Sequence, residues 1–583
     1  MRTYRKYLVL FAAPTLVLAA CSSRPEQPDT VAGEFVDALN RDDIAAAAQL
    51  TDNPPMAAET LGKLYDGLGK AVRFEVSSVD EHGFALAATW KLGTNGWSEW
   101  AYTTHGAASD TSAGWKVKWD PATVAPGLAT GALSYSPNYP KPARVLDSGG
   151  GELMTEQVVT LVNVAPDADL VAVVKLLGPL APDITARSVQ AELAAAQGQP
   201  ITAITLRDTD IAPIRDRLAA VPGVTLAAQT RLLVTDKALT SPTLSGLAEL
   251  WQKSAEANAG WAVRAQTPEG TQRVAGIDPT PTADIATTLD VGLQRAAEAA
   301  LAPIAQPAAI VALRPSTGGV VAVAQNTAAD AQGPIALTGL YPPGSTFKTV
   351  TVSAALQADT VTPDTVLPCP GTANIEGRRI PNDNNFDLGE VPLHTAFARS
   401  CNTTMGALAV RLPADALTKA AAQLGLGIDY VTPGLTTVTG KVPPADTSAL
   451  RVESAIGQGQ VTASPFGMAL VAAAIAHGAV PAPTLVTGQP GTPDRTPAVL
   501  PPTVADRLKS MMRETITGGT ATQLSDIPGL LGKTGTAEYI DDTHAHGWFV
   551  GIDGDLAFAV FVSDASGSGP AVDAAGQMLR AAR

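Results

Sequence analysis

Ser345-Thr346-Phe347-Lys348 is the first stretch of this chain whose residue types and spacing suit covalent chemistry. A serine hydroxyl is a poor nucleophile until a base takes its proton, and a lysine desolvated in a cleft can be neutral enough to take it. At i and i+3 of a helix the two side chains share a face. A helix start also offers free N–H groups to a developing oxyanion. The plainer alternative is a solvated surface pair. Next, Ser400-Cys401-Asn402 places a hydroxyl and an amide two residues apart. The hydroxyl can pass a proton to a leaving amine, and the amide can hold a substrate carbonyl. Ser and Asn are equally good helix N-caps, which is the plainer alternative here. Last, Lys533-Thr534-Gly535-Thr536 sits in a strand-like run. Lys533 offers a fixed cation to a carboxylate, Thr534 and Thr536 can hydrogen-bond it, and the Thr536 N–H can complete an oxyanion hole. Gly532 and Gly535 weaken a strand, which suggests close backbone approach to a ligand. An ordinary edge hairpin is the alternative.

The elements that must carry these groups are legible in outline. Pro342-Pro343-Gly344 cannot continue a helix, so a helix is predicted from about Ser345 to Leu356. Residues 403–410 read as helix after the Ser400 turn. Residues 531–539 and 547–552 read as paired strands, followed by a third strand at 556–562 and a closing helix. Residues 310–313 and 320–324 are apolar strands joined by the turn-forming 314–319, behind a helix at 289–301.

The remaining composition mostly excludes. At 583 residues the chain is too long for one core, and three or four domains are expected, at about 150 residues each. A net charge of −15 leaves no basic stripe for nucleic acid. Three cysteines are too few for a zinc-cluster or disulfide-framework protein. His544-Ala545-His546 beside Asp541 and Asp542 is too thin for a metal site, and no metal or organic cofactor is expected. No G-x-S-x-G elbow of a Ser-His-Asp hydrolase is present. Residues 28–145 predict helices, then alternating strands holding five of the eight tryptophans (90, 97, 100, 115 and 119), taken as sheet core. The Pro- and Gly-rich 120–151 reads as a linker or extended crossover. Residues 150–275 alternate short strands and helices without a catalytic constellation.

The first twenty residues form a signal peptide, with Arg2, Arg5 and Lys6 ahead of an apolar run. Its end, Leu18-Ala19-Ala20-Cys21, resembles the lipobox of bacterial lipoproteins. That resemblance implies removal of 1–20, a diacylglycerol on Cys21, and a lipid-anchored chain on the extracytoplasmic face of the cell membrane. Cys369 and Cys401 then remain as an even pair in an oxidising compartment, either bridged or two buried thiols.

S-x-x-K, S-x-N and K-T-G occur in that order on a helix start, a loop and a strand. The triplet is that of penicillin-binding proteins and β-lactamases, and residues 285–583 resemble the transpeptidase domain of class B penicillin-binding proteins. The likeness extends to the entry helix 287–294, to Tyr341–Lys348, to Gly457-Gln458-Gly459 with Pro465, and to the strand 546–551. The front resembles the low-affinity subgroup, with a nuclear-transport-factor-like extension. Arg144–Gly150 looks like an eroded form of the family's R-G-x-I-x-D-R-x-G, without its first Gly and second Arg. The implied architecture is multidomain α+β: signal peptide 1–20, extension 28–145, pedestal or dimerisation domain 146–284, and serine-β-lactamase-like transpeptidase domain 285–583.

The resemblance implies a peptidoglycan D,D-transpeptidase that β-lactams acylate. Ser345 would attack the penultimate D-Ala carbonyl of a stem peptide and Lys348 would take its proton. Ser400 would protonate the departing D-Ala, with Asn402 on the substrate amide. Lys533, Thr534, Gly535 and Thr536 would line the carboxylate site. With no glycosyltransferase domain before 285, glycan polymerisation would fall to a partner of the division or elongation machinery. A class D-like β-lactamase or a β-lactam sensor is the alternative, disfavoured by the long segment ahead of 285 and the lack of an internal transmembrane bundle.

Overall fold

The computed structural model describes residues 28–93, 98–538 and 544–583. Residues 1–20, read above as a signal peptide, and Cys21, Trp97, Asp541 and Asp542 lie outside them. The chain forms two compact units, one of residues up to Pro140 with Asn258–Pro281, the other of Lys141–Ala257 with Thr282–Arg583.

In the first unit, helices Pro28–Asn40, Ile44–Gln49 and Pro54–Leu68 precede a four-stranded antiparallel sheet. Asp43 caps the second helix through the Ala46 N–H, and Pro54 starts the third, where its missing N–H costs nothing. Strands Val72–Val79, Gly83–Leu92, Ser98–Thr111 and Gly114–Lys118 pair in sequence order. Trp90 is fully buried between Tyr65 and Phe74, and its indole donates to Tyr102 Oη at 2.9 Å. Trp100 is buried in the same core, and Trp115 and Trp119 pack against it. The 120–151 run is not simply a linker, because Ala132–Asn138 is a strand. It pairs with Gly260–Thr267, which in turn pairs with Gly270–Ile277. That hairpin therefore belongs to the first unit, rather than to a domain spanning 146–284 as its place in the chain suggests. Its buried Trp261, Val263 and Ala265 complete the front core.

In the second unit, the long strand Glu152–Val164 pairs antiparallel with Ile201–Arg207 and Val224–Val234. Helices Leu170–Leu177 and Ala186–Ala195 bury Val173, Leu177 and Val189 with the sheet's Val162 and Val164. Arg144 ties this layer to the segment that enters the last part of the chain, pairing with Asp284 at 2.6 Å and Glu152 at 3.2 Å.

The site rests on a five-stranded antiparallel sheet. Its order is Val320–Gln325, Ala308–Leu313, Ala557–Val562, Ala545–Ile552, Leu531–Glu538. Every residue of its first four strands is buried, which is why they read as continuous apolar runs rather than alternations. Helices Val291–Leu301 and Gly569–Ala581 contribute to the core on one face. The helix Pro465–His477, apolar on every side, is buried in the other core. Leu531–Glu538 is the edge strand, with no partner strand on its outer side. Among the described residues no helix is long and apolar enough to cross a membrane.

Candidate active site

Ser345 lies in a 3-10 turn, Gly344–Phe347, and the α-helix proper begins at Lys348 and runs to Gln357. The turn is tighter than the helix start the prolines predict. Gly344 takes φ +52°, and Thr346 Oγ1 donates back to the Pro343 carbonyl at 2.7 Å. Three segments meet here because each contributes a glycine. A Cβ on Gly344 would overlap the Thr536 carbonyl, and one on Gly457 would overlap the Gly344 carbonyl. One on Gly535 would sit 2.8 Å from Thr346 Cγ2 and 2.9 Å from the Pro343 oxygen. The Gly344 N–H donates to the Gly457 carbonyl at 3.0 Å. The G-Q-G segment thus supports the Ser345 turn on one side, and the K-T-G strand presses on another. Trp548 of the neighbouring strand donates to the Pro342 carbonyl at 3.0 Å.

Lys348 is fully buried. Its Nζ donates to the Ser400 carbonyl at 2.7 Å, Ser400 Oγ at 3.1 Å and Asn402 Oδ1 at 2.6 Å. Three acceptors thus lie within hydrogen-bond reach of Nζ, and none of them is Ser345 Oγ, despite the i, i+3 placement. Lys533, also fully buried, reaches the same Ser400 hydroxyl from the other side at 3.0 Å, and also donates to the Thr534 carbonyl at 3.0 Å. Ser400 therefore bridges two lysines, and it is held there at φ +63°, a conformation that costs a non-glycine residue about 1 kcal/mol or more. Burial, followed by the charge of Lys533, drives the Lys348 ammonium well below its ordinary range, with Asp383 opposing weakly. Burial alone brings Lys533 to about 7. Two cations this close and this dry cannot both keep their protons comfortably near neutrality.

Asn402 opens the helix Asn402–Ala409, but neither it nor Ser400 is the helix cap. That duty falls on Asn382, from a separate loop. Its buried Oδ1 accepts from the N–H groups of Asn402 at 2.8 Å and Thr403 at 3.1 Å. Nothing local to the S-x-N segment signals this, and Asn382 itself reads only as part of a turn-rich Pro-Asn-Asp-Asn-Asn run. Cys369 and Cys401 form a disulfide, Cα–Cα 6.1 Å, which ties the end of the strand Val366–Cys369 to the middle residue of S-x-N.

On the edge strand, Lys533 lies 5.6 Å from the Phe397 ring centroid. Thr534 and Thr536 share the opposite strand face. The Thr534 hydroxyl is already shared with Thr520 at 2.6 Å, another residue the sequence does not single out. Thr536 is only half-buried and lies over the nucleophile turn. The structure thus brings together Ser345, Lys348, Ser400, Asn402, Lys533, Thr534, Gly535 and Thr536. A serine on a tight turn, a buried lysine whose ammonium is disfavoured, a hydroxyl bridging two lysines and an edge strand suit acyl transfer to and from serine.

Residues 308–581 match the family model for the penicillin binding protein transpeptidase domain, and residues 27–132 match that for an NTF2-like N-terminal transpeptidase domain. The peptidoglycan D,D-transpeptidase PbpA of Mycobacterium tuberculosis is 31% identical over 293 residues, 42% of this chain and 58% of that protein. PbpA of Mycolicibacterium smegmatis is 33% identical over 316 residues, 44% of this chain and 61% of that one. MrdA of Acinetobacter baumannii, also a peptidoglycan D,D-transpeptidase, is 27% identical over 308 residues, 45% of each chain. The chain thus spans about three fifths of the mycobacterial proteins it matches. The penicillin-binding protein PBP2 of Helicobacter pylori, solved with MreC, aligns over 77% of this chain and 98% of its own, with TM-score 0.58 and 16% identity. At that identity the likeness is one of fold.

Proposed function

The chain belongs to the class B penicillin-binding proteins, and on that premise we propose that it is a peptidoglycan D,D-transpeptidase acting through an acyl-enzyme on Ser345. The observation that carries the proposal is the Ser400 hydroxyl, hydrogen-bonded at once to Lys348 and Lys533 beside the nucleophile turn.

In the forward half-reaction Lys348, whose ammonium form burial disfavours, takes the Ser345 proton as Oγ bonds to the penultimate D-Ala carbonyl carbon. The N–H groups of Ser345 and Thr536 stabilise the oxyanion, the first being free as one of the opening donors of a helical turn. The C–N bond then breaks, and Ser400 protonates the departing D-Ala, recovering a proton from Lys348. Lys533, Thr534 and Thr536 hold the carboxylate, Gly535 keeps the strand close, and Asn402 holds the substrate amide. An acceptor amine from a neighbouring stem attacks the ester, passes its proton back through Ser400, and releases Ser345. A β-lactam acylates Ser345 by the same first step. No step needs a metal or organic cofactor.

For the rest of the chain, we place it on the extracytoplasmic face of the membrane, anchored through a lipid on Cys21 after loss of residues 1–20. A glycan polymerase or a scaffold of division or elongation would act beside it. The complex of the Helicobacter protein with MreC supports a partner of that kind.

Intact-mass spectrometry after penicillin treatment tests the proposal. One adduct is expected on the wild type and none on Ser345→Ala. No adduct on the wild type, or an adduct that survives Ser345→Ala, overturns it. Rapid hydrolysis of the adduct would instead establish a β-lactamase.

A further inference from the structure

Asn402 can act only if its amide faces the right way, and the amide has two chemically different ends. Here Nδ2 donates to the Pro381 carbonyl at 2.9 Å, and Oδ1 accepts from Lys348 at 2.6 Å. Reversing the amide would set its oxygen against the Pro381 carbonyl and its N–H groups against the Lys348 ammonium, so both bonds would be lost. The next residue, Asn382, grips the backbone of the same turn. Its Oδ1 caps the N–H groups of Asn402 and Thr403, while its Nδ2 donates to the carbonyls of Pro370 and Phe386, each at 2.9 Å. With only 2% exposure, Asn382 has all of its strong donors and acceptors engaged. Two neighbouring residues of one loop therefore hold Asn402 by its main chain and by its side chain.

We infer that Asn382, with the Pro381 carbonyl, is a positioning residue for the reaction. Asn382 fixes the Asn402 main chain where the Pro381 carbonyl meets Nδ2, so that the amide oxygen, rather than its nitrogen, meets Lys348. In that orientation Asn402 favours Lys348 once it has received the Ser345 proton, and so lowers the barrier to acylation. Asn382 touches neither Ser345 nor Lys348 and acts wholly through Asn402. The inference rests on the acyl-transfer role proposed above. The titratable groups acting on Lys348 are Lys533, across the Ser400 hydroxyl, and Asp383, beside Asn382 on the same loop.

The test is the second-order rate of acylation by a fluorescent penicillin, followed against pH, in the full chain and in Asn382→Ala, Asn382→Asp and Thr404→Val. Thr404 lies on the same helix, with its hydroxyl on the Pro368 carbonyl at 2.8 Å and Cys401 Sγ at 2.9 Å, so its loss loosens the start of that helix without touching Asn382 or the Asn402 amide. Asn382→Ala strands two buried N–H groups and frees Asn402 to turn. Its plateau rate is expected to fall about 10- to 100-fold, the scale of a misplaced reacting geometry. Asn382→Asp keeps an acceptor for both N–H groups but adds a negative charge one hydrogen bond from Asn402. Its plateau is expected to fall less than that of Asn382→Ala, because both N–H groups keep their acceptor although the Pro370 and Phe386 carbonyls lose their donor. The midpoint of its rising limb, where Lys348 gives up its proton and becomes able to act as the base, should move to higher pH, because the added charge favours protonated Lys348. Thr404→Val is expected to lower the melting temperature without moving the midpoint. An unmoved midpoint in Asn382→Asp overturns the inference, even if the Ala variant is not recovered folded. So does a rate loss in Asn382→Ala that Thr404→Val reproduces at equal loss of stability. A wild-type protein that takes no penicillin overturns this and the proposed function together. A wild type acylated at Ser345, with variants that behave like it, overturns this inference alone.

Discussion

Gly457→Ala adds one methyl group 2.7 Å from Phe347 Cβ and deeper still into the Gly344 carbonyl, the group directly before the nucleophile. Ordinary contact begins at about 3.4 Å. The Phe347 side must therefore give by about 0.7 Å, and the Gly344 side by more. The two atoms struck flank Ser345, so the serine is expected to move by a comparable amount. A misplacement of about 1 Å at the reacting centre costs roughly a hundredfold in rate. Gly457 also sits at φ +72°, where any L side chain adds about 1–2 kcal/mol. Gly478→Ala separates the two effects. Gly478 ends a helix at φ +85° with nothing within 4 Å of a Cβ, so it carries the conformational cost alone. Acylation by a fluorescent penicillin and thermal melting should be measured on both variants. Gly478→Ala is expected to acylate at the wild-type rate with a modest loss of stability. Gly457→Ala is expected to lose more stability and about two orders of magnitude in acylation rate. Gly457→Ala acylating within about threefold of wild type, with no more destabilisation than Gly478→Ala, would refute the placement of G-Q-G as the support of the nucleophile turn.

Burial of two lysines also fixes the direction of a pH effect on stability. An unfolded lysine keeps its proton to about pH 10.4, whereas folded Lys533 releases it near 7 and Lys348 is lowered as well. Between those values the unfolded chain binds more protons, so stability should rise with pH, by up to about 1.4 kcal/mol per pH unit for each lysine. Urea midpoints at pH 7 and pH 9 should show a rise that shrinks in Lys533→Met, and an undiminished rise would count against a depressed Lys533. The Cys369–Cys401 bridge closes a loop with sequence separation 32. Its removal in Cys369→Ala/Cys401→Ala should cost about 3–4 kcal/mol in the chain-entropy account. A guanidinium midpoint unchanged in that variant, and unmoved by reductant in the wild type, would show that the bridge does not constrain the protein in solution.

How much was legible varied with the range of the interaction. The apolar strands 310–313 and 320–324 could be read because full burial on both faces leaves uninterrupted Ala, Val, Ile and Leu. The front helices and strands could be read from local period and caps, with Ser98–Thr111 running longer than its alternation suggests. The Gly260–Ile277 hairpin could not be assigned to the front unit. Its partner strand Ala132–Asn138 lies far upstream in Pro- and Gly-rich text, and no local pattern names a distant pairing. In the site, the three sets of residue types were evident, but Asn382 and Thr520 were not. Each reads as an ordinary loop residue, and its partner lies on another element.

The sequence by itself determined which groups are available and their order: a serine with a lysine one turn on, a hydroxyl and amide pair, a lysine–threonine–glycine strand, and the glycines that allow three segments to touch. Those are properties of local spacing and residue chemistry. Only the tertiary structure decided that Ser400 stands between Lys348 and Lys533, that both lysines are buried, and that Asn402 is held by Pro381 and Asn382 from a separate loop. Distance and burial set the charge of a lysine, and neither is a property of the residues next to it in the chain.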